Sequence, residues 1–104
     1  MPKWLILESF SIFQAFLNGQ IDLQKKYSDQ ALQRSLWLGD HIQMELFQET
    51  VIRDLILDRI SISNCILFLN EAFKKLKACE ESPEVWYQML NQCMNFTAKN
   101  LLLI

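Results

Sequence analysis

The residues of this chain that could do chemistry are few, and their spacing assembles no reaction centre. His41 is the only histidine. No cysteine or carboxylate stands beside it at the separation of a metal-ligand set, so a zinc site or a His-based triad is unsupported. It reads as an ordinary surface or helix-start residue. Cys65, Cys79 and Cys93 form no C-x-x-C pair. An odd and sparse set does not make a secreted disulfide framework; it predicts reduced thiols, two of them packed in helices as small hydrophobes. Glu80, Glu81 and Glu84 crowd one turn, which they solubilise while feeding the start of a helix. Asp54 and Asp58 fall at i, i+4 beside Arg53 and Arg59, the pattern of ion pairs on a wet helix face rather than of an acid–base couple. Gly19 and Gly39 stand alone, so no phosphate-cradling loop is present. Asn95-Phe96-Thr97 is a glycosylation sequon inside a predicted helix and is read as chance. No catalytic, cofactor-binding or metal-ligating residue emerges, and the expectation is a protein that is not an enzyme and takes no cofactor.

Composition supports that expectation. The chain has 104 residues, 51% of them hydrophobic and 21% charged, with a net charge of −2. That length suits a single domain over 1–104 with an interior of its own. Lys25-Lys26 and Lys74-Lys75 with Lys77 are the only basic clusters, and a helix's solvated side explains the second. Nucleic acid would ask for a basic stripe; none is written. Residues 4–7 are apolar, but Glu8 interrupts them before a secretory signal could form. No run approaches the roughly 20 apolar residues of a membrane span. The tail Leu101-Leu102-Leu103-Ile104 either docks on the core or begins a helix cut short. The expected setting is cytoplasmic or nuclear, with no membrane and no nucleic acid as partner.

With two glycines and two prolines, the chain has little material for hairpins and favours helices on short connections. The spacing predicts five. The first covers about 9–18, with Phe10, Phe13 and Leu17 on one stripe and Gly19 as the left-handed residue past its end. Residues 20–24 alternate polar and apolar, as a short extended segment would. Ser28 caps the second helix ahead of Asp29; Ala31, Leu32, Ser35 and Leu36 face inward, and the helix stops at Leu38 with Gly39 beyond. The third starts near His41 or Ile42, capped by Asp40. Phe47, Val51 and Leu55, flanked by Met44, Ile52 and Ile56, give it the broad apolar face of a central helix. Ser61 caps the fourth, whose buried stripe is Ile62, Ile66, Leu69 and Phe73; Leu76 ends that stripe and 78–81 are loop. Ser82-Pro83-Glu84 opens the fifth. It carries Val85, Met89, Cys93 and Phe96 on one side, Trp86, Leu90 and Met94 on the next, and Asn100 past its end. The fold class is therefore all-α: a compact bundle of about five antiparallel helices.

The order of these features resembles a known family. Gly19-Gln20-Ile21-Asp22-Leu23, then 36–44 (Leu-Trp-Leu-Gly-Asp-His-Ile-Gln-Met), then Ile60-Ser61-Ile62-Ser63-Asn64-Cys65 are similar to the second half of a BTB (POZ) domain. Residues 93–100, beginning Cys93-Met94-Asn95-Phe96, are similar to the helix leading into a BACK region. The resemblance covers roughly 10–100. It implies an interaction module, and BTB–BACK proteins are commonly adaptors that bring substrates to cullin-type ubiquitin ligases. The strand-rich first half, which builds that family's dimer interface and part of its cullin contact, has no counterpart here.

Two functions follow. The first is an adaptor or scaffold that grips another protein through an aromatic patch on the last two helices, at Phe68, Phe73, Trp86 and Tyr87. Trp86 and Tyr87 point about 100° apart on a helix, so both cannot hide against one neighbour, and aromatic side chains are frequent interface anchors. The second is a structural subunit whose apolar helix faces, with 101–104, bury themselves in a homo-oligomer or larger assembly.

Overall fold

A computed structural model describes residues 3–78 and 83–100. Among these residues the fold is all-α, with helices α1 (Lys3–Leu17), α2 (Asp29–His41), α3 (Glu45–Thr50), α4 (Cys65–Ala78) and α5 (Glu84–Asn100) and no strand. Cys79, Glu80, Glu81, Ser82 and the 101–104 tail lie outside the described residues. The single domain expected over 1–104 packs as two compact units, Met1–Leu55 and Ile56–Ile104.

In the first unit, α1 begins at Lys3 and buries Leu5, Ser9 and Ile12. Of the expected stripe, Phe10 and Leu17 are exposed instead. Ser9 can occupy the inward line because its hydroxyl donates to the Leu5 carbonyl one turn back, at 2.8 Å, which removes most of the cost of burying it. Phe13 and Phe16 do pack, both against Phe47 of α3. Past α1, the Gln20 amide donates to the Ala15 carbonyl and the Gly19 amide to that of Phe16, with Gly19 at φ +65°. That is the Schellman ending Gly19 predicts.

Residues 20–24 form no strand; the chain is irregular over 20–22 and turns at 23–24. Asp22 explains the difference: its Oδ1 accepts the Gln24 amide at 2.9 Å, and a local bond of this kind competes with an extended backbone. Ser28 caps α2 as expected, its Oγ accepting the Ala31 amide at 3.1 Å. Glu8 joins in from α1. Its carboxylate accepts the Ser28 amide at 2.8 Å and the Ser28 hydroxyl at 3.1 Å. One acidic residue thus ties α1 to the positive end of α2.

Helix α2 runs on to His41, so Gly39 and Asp40 both lie inside it; α3 starts later, at Glu45, with Met44 at its N-cap position and no side-chain cap. The left-handed position falls to Gln43, at φ +57°. The Met44 amide donates to the Gly39 carbonyl and the Gln43 amide to that of Asp40, a second Schellman ending displaced by four residues from the expected one. Gly39 serves close approach instead. A Cβ there would stand 2.5 Å from Cγ of Gln48 and 3.3 Å from Cδ2 of Phe47. Gln48 is pinned in turn, its Nε2 donating to the Leu36 carbonyl at 2.8 Å. Gly39→Ala should therefore destabilise by about 1–2 kcal/mol, since overpacking outweighs the ~1 kcal/mol that alanine gains in helix propensity. Urea unfolding measures this; a variant more stable than the parent would disprove the close approach.

Phe47, Val51, Ile52, Leu55 and Ile56 are all fully buried, as the spacing predicts. The backbone that achieves this is not a regular α-helix. It widens to a π turn over Val51–Ile56 and tightens to a 3-10 turn over Leu57–Arg59.

In the second unit, α4 and α5 form an antiparallel hairpin. Thr97 Oγ1, late in α5, lies 3.6 Å from the Cys65 sulfur at the start of α4, while Lys75, late in α4, lies 5.6 Å from the Trp86 ring centre early in α5. The turn before α4 is held by Asn64 rather than Ser61. Oδ1 of Asn64 accepts the Ser61 amide and its Nδ2 donates to the Arg59 carbonyl, each at 2.8 Å. The Ser61 hydroxyl is engaged with Ser63. This rotates α4 away from expectation. Its inward line is Cys65, Phe68 and Ala72, while Ile62, Ile66 and Phe73 of the expected buried stripe face outward. In α5, Val85, Trp86, Met89 and Cys93 are buried. Asn100 is helical, its Nδ2 donating to the Phe96 carbonyl, and it takes no left-handed conformation.

Candidate interaction surface

Among the described residues, those that could bear chemistry are dispersed or interior. His41 and Asp58 are exposed. Asp54 pairs with its neighbour Arg53 at 3.6 Å. Cys65 and Cys93 are buried, and burial together with the charge of Cys65 pushes the Cys93 thiol up from 9.0 to about 11. A thiol so held is the opposite of an activated nucleophile. Thr97 of the sequon spends its hydroxyl on the Cys93 carbonyl at 2.8 Å. Among the described residues no group of three or more His, Cys, Asp or Glu could hold a metal ion, and no helix is long and apolar enough to cross a membrane. In the first unit an open recess of about 310 Å³ is lined by Phe16, Gly19, Ile21, Leu23, Thr50 and Asp54. Its one carboxylate is already paired.

The four aromatic residues expected to hold a partner separate into two pairs. Phe68 is fully buried and Trp86 is 3% exposed, so both belong to the interior of the hairpin. Lys75 covers the Trp86 ring. Phe73 is 55% and Tyr87 44% exposed.

Helix geometry shows what surrounds those two. At 3.6 residues per turn, Ile66, Leu69 and Phe73 lie roughly a quarter to a third of a turn round α4 from its inward line. Tyr87, Leu90 and Met94 lie about as far round α5, in the same rotational sense. Both helices are right-handed and they run antiparallel, so offsets of the same sense fall on the same side of the pair. The hairpin therefore gathers six apolar residues on one face, with Ile62 exposed in the turn just before α4. Offsets of the opposite sense carry the buried Glu71 and, 3.9 Å from its carboxylate, the exposed Lys74 on α4, and Gln88, Gln92, Asn95 and Lys99 on α5. One face is apolar, the other polar.

Sequence reasoning placed Phe73 and Tyr87 in a patch but missed Ile66, Leu69, Leu90 and Met94. A signal was there to be read. Both the Cys65–Phe68–Ala72 line and the Ile66–Leu69–Phe73 line of α4 are apolar, a wider arc than one neighbouring helix can cover. The same excess marks α1, where Trp4, Leu7, Phe10 and Leu17 are each more than half exposed. No family model, curated protein or solved structure matches this chain.

Proposed function

We propose that this chain is a protein–protein interaction module of adaptor or scaffold type, and that it grips its partner with the apolar face of the α4–α5 hairpin. The observation that carries the reading is the division of that hairpin into an apolar and a polar side. Side chains such as Ile66, Phe73 and Met94, each more than about half exposed, cost free energy in water unless something covers them for part of the protein's life. Aromatic and methionine side chains are also the types enriched at the centres of interfaces. The likeness in residue order to BTB–BACK proteins points the same way, towards an adaptor in a cullin-type ubiquitin ligase. Among the described residues a chemical role finds no comparable support, because Cys65 and Cys93 are interior and the carboxylates dispersed.

The test is a photo-crosslinking residue at position 73 or 87 of the full chain in cells. A discrete protein adduct is expected, absent when the crosslinker sits at position 92 on the polar side. Phe73→Lys combined with Tyr87→Lys should remove association while leaving the helical circular dichroism unchanged. Equal adducts from both sides of the hairpin would refute the reading.

A further inference from the structure

The geometry points to a second copy of this chain as the occupant of the α4–α5 face, with the two hairpins stacked face to face as a four-helix bundle. This inference rests on the proposal that the face binds protein, and it names the partner.

Three features of the face fit a copy of itself. The first is its shape. A pair of antiparallel helices with one apolar side is half of an antiparallel bundle, and two such halves related by a two-fold axis close on each other without leaving a free interface. Its layout is the second. The stripe on α4 runs from Ile66 to Phe73 and that on α5 from Tyr87 to Met94, the same length. With Thr97 opposite Cys65, antiparallel counting sets their midpoints about two residues apart, roughly 3 Å along the axis. A two-fold axis through the middle of the face then lays α4 on its own copy and α5 on its own copy, large residues opposite large residues. The third is charge. Lys74 and Lys77 are exposed near the C-terminal end of α4, and Lys74 lies 3.9 Å from the carboxylate of the buried Glu71. Stacking the hairpins end for end keeps the lysines of one copy at the far end from those of the other.

The size is sufficient. With whole side chains of the order of 200 Å², Ile62, Ile66, Phe73, Tyr87 and Met94 alone present roughly 500 Å² of largely apolar surface at their observed exposures. Two copies then remove about 1,000 Å², the level at which a specific interface becomes credible, before any polar rim is added. A partner helix lying alone across the hairpin would leave one of the two stripes uncovered. A matching hairpin covers both.

Sedimentation equilibrium on the full chain at micromolar concentration tests this. The expected result is a dimer. Phe73→Lys and Met94→Lys, both at exposed positions, should each weaken dimerisation at least about tenfold with unchanged circular dichroism, and Gln92→Lys on the polar side should leave it intact. Crosslinks from position 73 should return an adduct of twice the chain mass. A monomeric chain whose crosslinks from position 73 return a different protein would overturn the second copy while keeping the interaction module. A monomer with no adduct at all would sink both. A monomer that dimerises only after removal of 101–104 would assign the face to that segment, which also overturns the inference.

Discussion

Replacing Phe47 by alanine is expected to cost about 3–5 kcal/mol of unfolding free energy, the largest effect of any single truncation in the first unit. Phe47 is fully buried, and two rings of α1 converge on it: Phe13 at 5.0 Å between ring centres with planes 28° apart, and Phe16 at 5.1 Å and 56°. Aromatic pairs of this kind contribute about 0.5–1.5 kcal/mol each beyond the area they bury. Truncation leaves a cavity that neither ring can fill by rotating, because both are carried on the same helix. Phe47→Leu keeps most of the volume and loses the ring contacts, so it should cost less than half as much. Urea unfolding of both variants separates the two contributions. A loss below about 1 kcal/mol for alanine would mean that α1 is not held to α3 through these rings.

Phe47 also shows what could be read from the sequence and what could not. Its four-residue spacing to Val51 and Leu55 marks it as interior, and all three are. Nothing local says that its partners are Phe13 and Phe16. Capping signals were legible where one residue settles the backbone alone, as Ser28 does with the Ala31 amide and Gly19 with its positive φ. They misled where two demands compete for one residue. Gly39 has the right type to end α2, yet the close approach of Gln48 claims it, and Gln43 takes the left-handed position at a strain of about 1 kcal/mol.

The rotation of α4 has a different cause. Periodicity finds an apolar line but cannot choose between two lines on one helix, and α4 has two. The choice is made by Asn64, whose side-chain bonds to Ser61 and Arg59 fix the turn before α4 and turn Cys65 and Phe68 inward. Such bonds join residues three and five apart in the chain and leave no periodic trace. The outward line they create is the surface on which the proposed function depends. The part of the site hardest to read is thus the part set by a single polar side chain.

The stability of the second unit should fall as the pH is raised from about 9 to about 11, and Cys93 is the reason. Its side chain is fully buried between α4 and α5, where desolvation first and the charge of Cys65 second disfavour the thiolate, so its pKa rises from 9.0 to about 11. The sign follows from proton binding. Below pH 9 both folded and unfolded chains hold the proton, and the stability is fully present. Between the two values the unfolded chain has released its proton while the folded one retains it, so folding weakens with each step in pH. Two units correspond to about 2–3 kcal/mol. Lysines and tyrosines also titrate in this range, so the measurement is the difference between the parent and Cys93→Ala, each unfolded in urea at a series of pH values. The variant starts lower, because it loses packing, but its curve should be flatter by about 2 kcal/mol across the window. Parallel curves would show that the Cys93 sulfur meets water in the folded protein, and that α4 and α5 do not close over it.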